Sequence, residues 1–132
     1  MKYKTTAGVA IILHSPEIDV STILDPIKNK LERSHKKGEK KIPDGDVSYH
    51  DYMARFCLRE RSVFDIGTEL MSICTKLIKL KTIFDKINNK PGGSIWIIVR
   101  LYDPEYILFN IEQPVIHLLD RLGVGFSIEN RA

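Results

Sequence analysis

Four histidines are the side chains of this sequence best suited to acid–base or metal chemistry. His14 follows a predicted strand, His35 and His50 lie in or beside a charged loop, and His117 falls inside a predicted helix. Nucleophilic catalysis needs a nucleophile beside a base and an orienting acid, and metal binding needs several ligands to converge. Because no HxH, HxxxH or HExxH spacing occurs, the sequence predicts no catalytic residue, metal site or cofactor, and therefore no enzyme.

The cysteines and carboxylate pairs support the same interpretation. Cys57 and Cys74 have apolar neighbours and no CxxC or Cys–His spacing, so we expect free, buried thiols. Two carboxylate pairs, Asp44/Asp46 and Asp103/Glu105, flank turn residues, where an acidic side chain typically stabilises the turn backbone. The sequence after Asp44/Asp46 lacks the glutamate at the twelfth position that completes a calcium-binding loop.

The composition is that of an ordinary globular domain. The chain has 132 residues, 43% hydrophobic and 28% charged, with a formal net charge of +3. These values exclude a disordered chain or a disulfide scaffold and predict one domain over residues 1–132. No window of 18 apolar residues occurs, and the first apolar run leads into His14-Ser15-Pro16 rather than a cleavage site. We therefore expect a cytoplasmic protein without membrane association.

Hydrophobic periodicity predicts alternating strands and helices. The longest pattern repeats at spacings of three and four over 63–87, with Ser62 as the expected cap. Such a helix is longer than a small sheet, so we expect a bend or break near Lys79-Leu80-Lys81; a coiled-coil dimer is the alternative. The other helices are predicted at 23–31 and 114–122, and the strands at 7–13, 49–61, 94–101, 106–111 and 124–129.

This order predicts an α+β fold: one largely antiparallel sheet with two or three helices packed on it, one of them long. Within the second strand, Arg55, Arg59 and Arg61 recur at spacings of two or four, so they should project from one face. That row is either the solvated side of the sheet or a weak anion-binding patch.

An exposed charged loop is predicted at about 34–47, around the turn Pro43-Asp44-Gly45-Asp46. The overlapping segment 28–41 carries seven basic residues and two acidic ones, but no aromatic side chain that would stack on a base. Partner binding is therefore expected at this loop, and nucleic-acid binding through 28–41 is the alternative. The expected partner-binding residues are Lys36, Lys37, Lys40, Lys41, Asp44, Asp46 and Asp51.

The segment order and several motifs resemble a bacterial family known as domain of unknown function four-two-seven-nine. The resemblance lies in the strand 7–13, the helix 23–31, the motif Lys37-Gly38-Glu39 and the closing segment 109–128. The chain departs from the family at His35 and Phe56, where the family usually has tryptophan.

Small bacterial α+β proteins of this type are similar to immunity proteins encoded beside secreted toxins, including contact-dependent growth inhibition toxins. The resemblance implies a non-enzymatic protein-binding domain that neutralises a cognate toxin by covering its active site. Many nuclease toxins are basic, so a chain with a charge of +3 needs either a local acidic patch or an acidic toxin.

Overall fold

The computed structural model describes residues 4–102 and 110–131 and contains one mixed five-stranded sheet. The strand order is β2-β3-β1-β4-β5, and every neighbouring pair is antiparallel except β4 and β5. The predicted α+β class with a largely antiparallel sheet is confirmed. The strands are β1 (Thr5–Ser15), β2 (Leu31–His35), β3 (Tyr52–Phe64), β4 (Ser94–Leu101) and β5 (Gly125–Asn130).

The long helical segment is broken at the predicted place. Helix α1 (Ile66–Leu77) and helix α2 (Lys81–Asn88) are joined by a turn of 3-10 helix at Ile78–Leu80. The cap is Asp65 rather than the expected Ser62, because β3 continues through Ser62, and Asp65 accepts a hydrogen bond from the backbone N–H of Thr68. Both helices bury their apolar sides in the core.

Helix α3 (Gln113–Leu122) leads into β5. It ends at Gly123, whose φ of 71° lies in the left-handed region that glycine adopts without strain. The predicted closing strand is confirmed, and it lies parallel to β4. The predicted strand 106–111 falls outside the described residues except for Asn110 and Ile111, which are not in a strand.

The core lies between one face of the sheet and the three helices. Alternate residues of β1, β3 and β4 pack against the apolar sides of α1, α2 and α3. Phe56 from β3, Ile97 from β4 and Phe84 from α2 are fully buried there. Burying each such side chain contributes about 1.5–3 kcal/mol, so this layer is the main source of stability.

The segment 23–35 differs from its prediction. The expected helix is a 3-10 helix at Asp25–Lys30, followed directly by β2, whose last residues were predicted to be loop. Pro26 lies in the first turn, and β2 is a mostly exposed edge strand, so the apolar alternation typical of a half-buried strand is missing.

A β-bulge separates the arginines predicted to share a face of β3. The pairing of β1 with β3 shifts register around Val9, which places Arg59 opposite Val9 and Arg55 opposite Ile12. Arg59 therefore turns toward the helices and donates to Glu69 of α1 at 3.3 Å. The single-face prediction is wrong because a bulge reverses the alternation of a strand.

Candidate functional site

The three α-helices pack on the core side of the sheet. We call the opposite side the open face; the 3-10 helix Asp25–Lys30 borders it where Asn29 and Lys30 line a groove with Cys57. Its side chains come from alternate residues of all five strands, matched across the sheet by the strand pairing. They are Arg33, His35, Met53, Arg55, Cys57, Ala10, Ile12, His14, Trp96, Ile98, Arg100, Gly125 and Ser127.

Trp96 is the largest exposed apolar side chain of the open face. It pairs with Ile12 on one side and Gly125 on the other, and 43% of its surface is accessible. A side chain at Gly125 would collide with the indole ring, so the ring lies against the Gly125 backbone. The missing side chain of Gly125 thus allows Trp96 to lie flat on β5.

Arg100 and Glu32 form an ion pair across the open face. Nη1 and Nη2 of Arg100 donate to Oε1 and Oε2 of Glu32, both at 2.9 Å. Arg100 faces Gly8 on β1, and this small residue leaves room for the side chain to cross toward β2. Arg100 is only 7% exposed.

The pair sets the local electrostatics. Hydrogen bonding from Arg100 lowers the pKa of Glu32 against the opposing effect of burial, and Arg55 adds a favourable charge. The same hydrogen bond raises the pKa of Arg100. The Nε atoms of Arg55 and Arg100 are buried without a hydrogen-bond partner among the described residues. Two guanidinium groups thus lie on the open face, that of Arg100 paired with Glu32 and that of Arg55 close enough to add to the same carboxylate's stabilisation.

A histidine–aspartate–histidine cluster lies at one end of the open face. Oδ2 of Asp51 is 2.9 Å from Nδ1 of His14, and Oδ1 is 2.9 Å from Nε2 of His35. The His35 ring also stacks on Tyr49, with centroids 3.6 Å apart. Partial burial alone would raise the pKa of Asp51, but the hydrogen bonds and charges of His35 and His14 lower it overall. We call these three residues the histidine cluster.

Residues 36–50 form a small projecting hairpin between β2 and β3, which we call the hairpin. The Gly38 amide donates to the Tyr49 carbonyl at 2.9 Å, and the Tyr49 amide donates to the Glu39 carbonyl at 2.8 Å. The Lys41 amide donates to the Val47 carbonyl at 3.0 Å. The tip exposes Ile42 and Val47, which are 68% and 58% accessible. The predicted loop is thus an ordered, protruding element.

The structure places six of the seven expected partner-binding residues on the hairpin. All six are exposed, and Lys41 lies over the Tyr49 ring at 5.5 Å. These six are Lys36, Lys37, Lys40, Lys41, Asp44 and Asp46. Asp51 is set apart from them, because it belongs to the histidine cluster.

Cys57 and Cys74 are free and buried, as predicted. Burial raises the pKa of Cys74 to about 11. Burial, assisted by Glu60 and Glu32, raises that of Cys57 to about 11 as well. Cys57 borders a shallow groove of about 270 Å³ that Leu31 also lines. Both thiols are protonated at neutral pH, so neither is suited to act as a nucleophile.

Sequence reasoning missed Trp96, Arg100, Glu32 and the convergence of His14 and His35 on Asp51, although Asp51 was among the expected partner-binding residues. Trp96 and Arg100 lie in an almost continuous apolar run that predicted a central strand, with no signal for which positions face away from the helices. His14 and Asp51 are 37 residues apart, and only the order of the strands brings them together. The one available signal was the single charge in that run, at Arg100.

No known protein family, curated protein or solved structure matches this chain. Within residues 4–102 and 110–131, no three or more His, Cys, Asp or Glu side chains are arranged to hold a metal ion. No helix in the same ranges is both long and apolar enough to cross a membrane. The function must therefore be inferred from the geometry of the open face and the hairpin.

Proposed function

We propose that this chain is a non-enzymatic protein-binding domain, acting as an immunity protein that neutralises a cognate toxin by covering its active site. The observation that carries the proposal is Trp96, held flat and 43% accessible on the sheet face opposite the three α-helices. Tryptophan and arginine supply much of the binding energy at protein interfaces, and both lie on this face.

The charge of the surface favours an acidic partner. Arg33 is exposed on the open face, and four lysines are exposed on the adjoining hairpin. The hairpin also carries three acidic residues, which are Asp44 and Asp46 at its tip and Glu39. A toxin presenting carboxylates around an apolar site would complement this arrangement, and the charges would speed encounter.

The surface is also preorganised. The Gly125 backbone supports the Trp96 ring, and backbone hydrogen bonds order the hairpin. Binding then costs little side-chain and loop entropy, so more of the contact energy contributes to affinity. An inhibitor that must block a toxin quickly and durably benefits from such rigidity.

The test is co-expression with the product of the adjacent gene, followed by co-purification and measurement of growth. We expect the chain to bind that product and suppress its toxicity. Trp96→Ala should weaken binding about 30-fold, the effect of losing one interface hot spot. Ile116→Ala is the matched control, because Ile116 is exposed on α3, away from the open face. Absence of any association or neutralisation would contradict the proposed function, and an unchanged affinity of Trp96→Ala would exclude the open face.

Single-stranded nucleic-acid binding is the second candidate, and Trp96 is the observation that favours it. Sheet surfaces that bind single strands stack bases on exposed aromatics beside basic side chains. The basic segment 28–41 ends in the hairpin, at the edge of the same sheet. Binding of a single-stranded oligonucleotide that falls steeply with salt and is lost in Trp96→Ala would support this candidate. No binding at low salt would exclude it.

A further inference from the structure

We infer that the histidine cluster is a pH-dependent clasp that fixes the hairpin to the sheet. The inference adds regulation to the proposed binding surface and rests on the proposed function for that biological role. The clasp itself is a property of the isolated chain, so it can be tested without a partner.

The clasp joins three separate parts of the chain at one carboxylate. His35 ends β2 immediately before the hairpin, Asp51 follows the hairpin immediately, and His14 lies on the central strand β1. Both imidazole–carboxylate distances are 2.9 Å. The carboxylate therefore ties both ends of the hairpin to the centre of the sheet.

The stacking of His35 extends the clasp into the hairpin. Its ring lies nearly parallel to that of Tyr49, at 9°, and Tyr49 makes two of the backbone hydrogen bonds that order the hairpin. A change in the position of His35 is thus passed directly to the hairpin backbone.

The charged groups around the clasp determine how it responds to pH. Lys41 lies over Tyr49, and Lys36 lies 3.9 Å from Asp19, so the surrounding side chains include both signs. The residues paired with His14 in β3 and β4 are Met53 and Ser94, which carry no charge. Asp51 is therefore the anion that both imidazoles contact directly.

Protonation of the imidazoles should tighten the clasp, and protonation of Asp51 in strong acid should open it. Imidazoles ordinarily titrate between about pH 5 and 8, and a hydrogen bond from imidazolium to carboxylate is stronger than one from neutral imidazole. Once Asp51 is itself protonated, two neighbouring cations remain without an anion between them. The hairpin should be held best at mildly acidic pH.

Hydrogen exchange of the 132-residue chain tests the clasp. The amides of Gly38, Lys41 and Tyr49 report on the hairpin, and those of β4 report on global opening. After correction for intrinsic exchange rates, we expect about five-fold greater hairpin protection at pH 6 than at pH 8.5, with no matching change in β4.

Variants separate the clasp from a general pH effect. Asp51→Asn should abolish the difference between the two pH values, and His14→Gln should reduce it while leaving the stacking of His35 on Tyr49 in place. His117→Gln is the control, because His117 is exposed on α3. A hairpin whose protection does not change with pH, or a difference that survives in His14→Gln and Asp51→Asn, would overturn the inference. The His14→Gln variant decides the question if Asp51→Asn does not fold.

Discussion

Arg100 of β4 and Glu32 of β2 are joined by two 2.9 Å hydrogen bonds that cross the open face above the two strands between them. The residues are 68 positions apart in sequence, so their contact depends on the completed sheet. Arg100 is nearly fully buried, whereas Glu32 is partly accessible. The carboxylate therefore supplies the charge that the buried guanidinium requires.

Replacing one partner of the Glu32–Arg100 pair should lower the free energy of unfolding more than replacing both. We expect Glu32→Leu to lower the free energy of unfolding by about 2–4 kcal/mol, because it leaves Arg100 buried without a counter-charge. The double variant Glu32→Leu/Arg100→Met should recover most of that loss. Urea unfolding of both variants measures the difference. Glu17→Gln, which breaks the exposed Glu17–Lys90 pair, should change stability by less than about 0.5 kcal/mol. A double variant no more stable than Glu32→Leu would contradict this account.

The same pair predicts a dependence of stability on pH. The folded-state pKa of Glu32 lies below its ordinary value of 4.5. Its contribution is therefore present above about pH 4.5 and is lost as the pH falls through the lower folded-state value. The stability difference between the wild type and Glu32→Gln should shrink between pH 7 and pH 3. Urea titrations at several pH values measure it, and a constant difference would rule out ionisation of Glu32 as the cause.

The elements that pack against the core could be predicted from the sequence, because burial leaves a periodic pattern. The break near Leu80 followed from comparing helix length with sheet size. The strand β2 could not be predicted, because an exposed edge strand buries too little to show alternation. The bulge at Arg59 could not be predicted either, since it depends on how β3 pairs with β1.

Some residues of the candidate site could likewise be predicted from the sequence, and others could not. The lysines of the hairpin could be found from local charge, and the structure shows them exposed. The histidine cluster and the Glu32–Arg100 pair required knowledge of the strand order, which no local pattern contains. Predicting the exposure of Trp96 required knowing which residues of β4 face away from the core. The apolar run does not reveal this, because one side of β4 is buried and the other is partly buried.

Trp96 is the only tryptophan, so its fluorescence reports on the open face. Gly125→Val should push the indole off β5, because a side chain at Gly125 would collide with the ring. We expect emission shifted to longer wavelength and stronger quenching by acrylamide. Ser127→Val, one position further along the same face, is the control and should leave the emission unchanged. Unchanged emission in Gly125→Val would mean that the ring does not lie on Gly125.

The thiols should react slowly in the folded protein. With pKa values raised from 9.0 to about 11, Cys57 and Cys74 have roughly a hundred-fold less thiolate at pH 7.5 than an ordinary cysteine. Alkylation by iodoacetamide should therefore be at least that much slower in buffer than in 8 M urea (a denaturing concentration of the order that small domains require). Mass spectrometry of the two peptides resolves the sites. Equal rates in both conditions would show that the thiols are not protected.

The central position of β1 has a consequence for the order in which the polypeptide acquires its structure. Both neighbours of β1 come from distant parts of the chain: β3 begins at Tyr52 and β4 at Ser94. During synthesis β1 therefore emerges long before either strand that will flank it, and meanwhile its backbone N–H and C=O groups stay unpaired and its apolar side chains stay exposed. Such non-local pairing slows folding and leaves the nascent chain open to aggregation. This protein should consequently depend on chaperones more than a helical bundle of equal length.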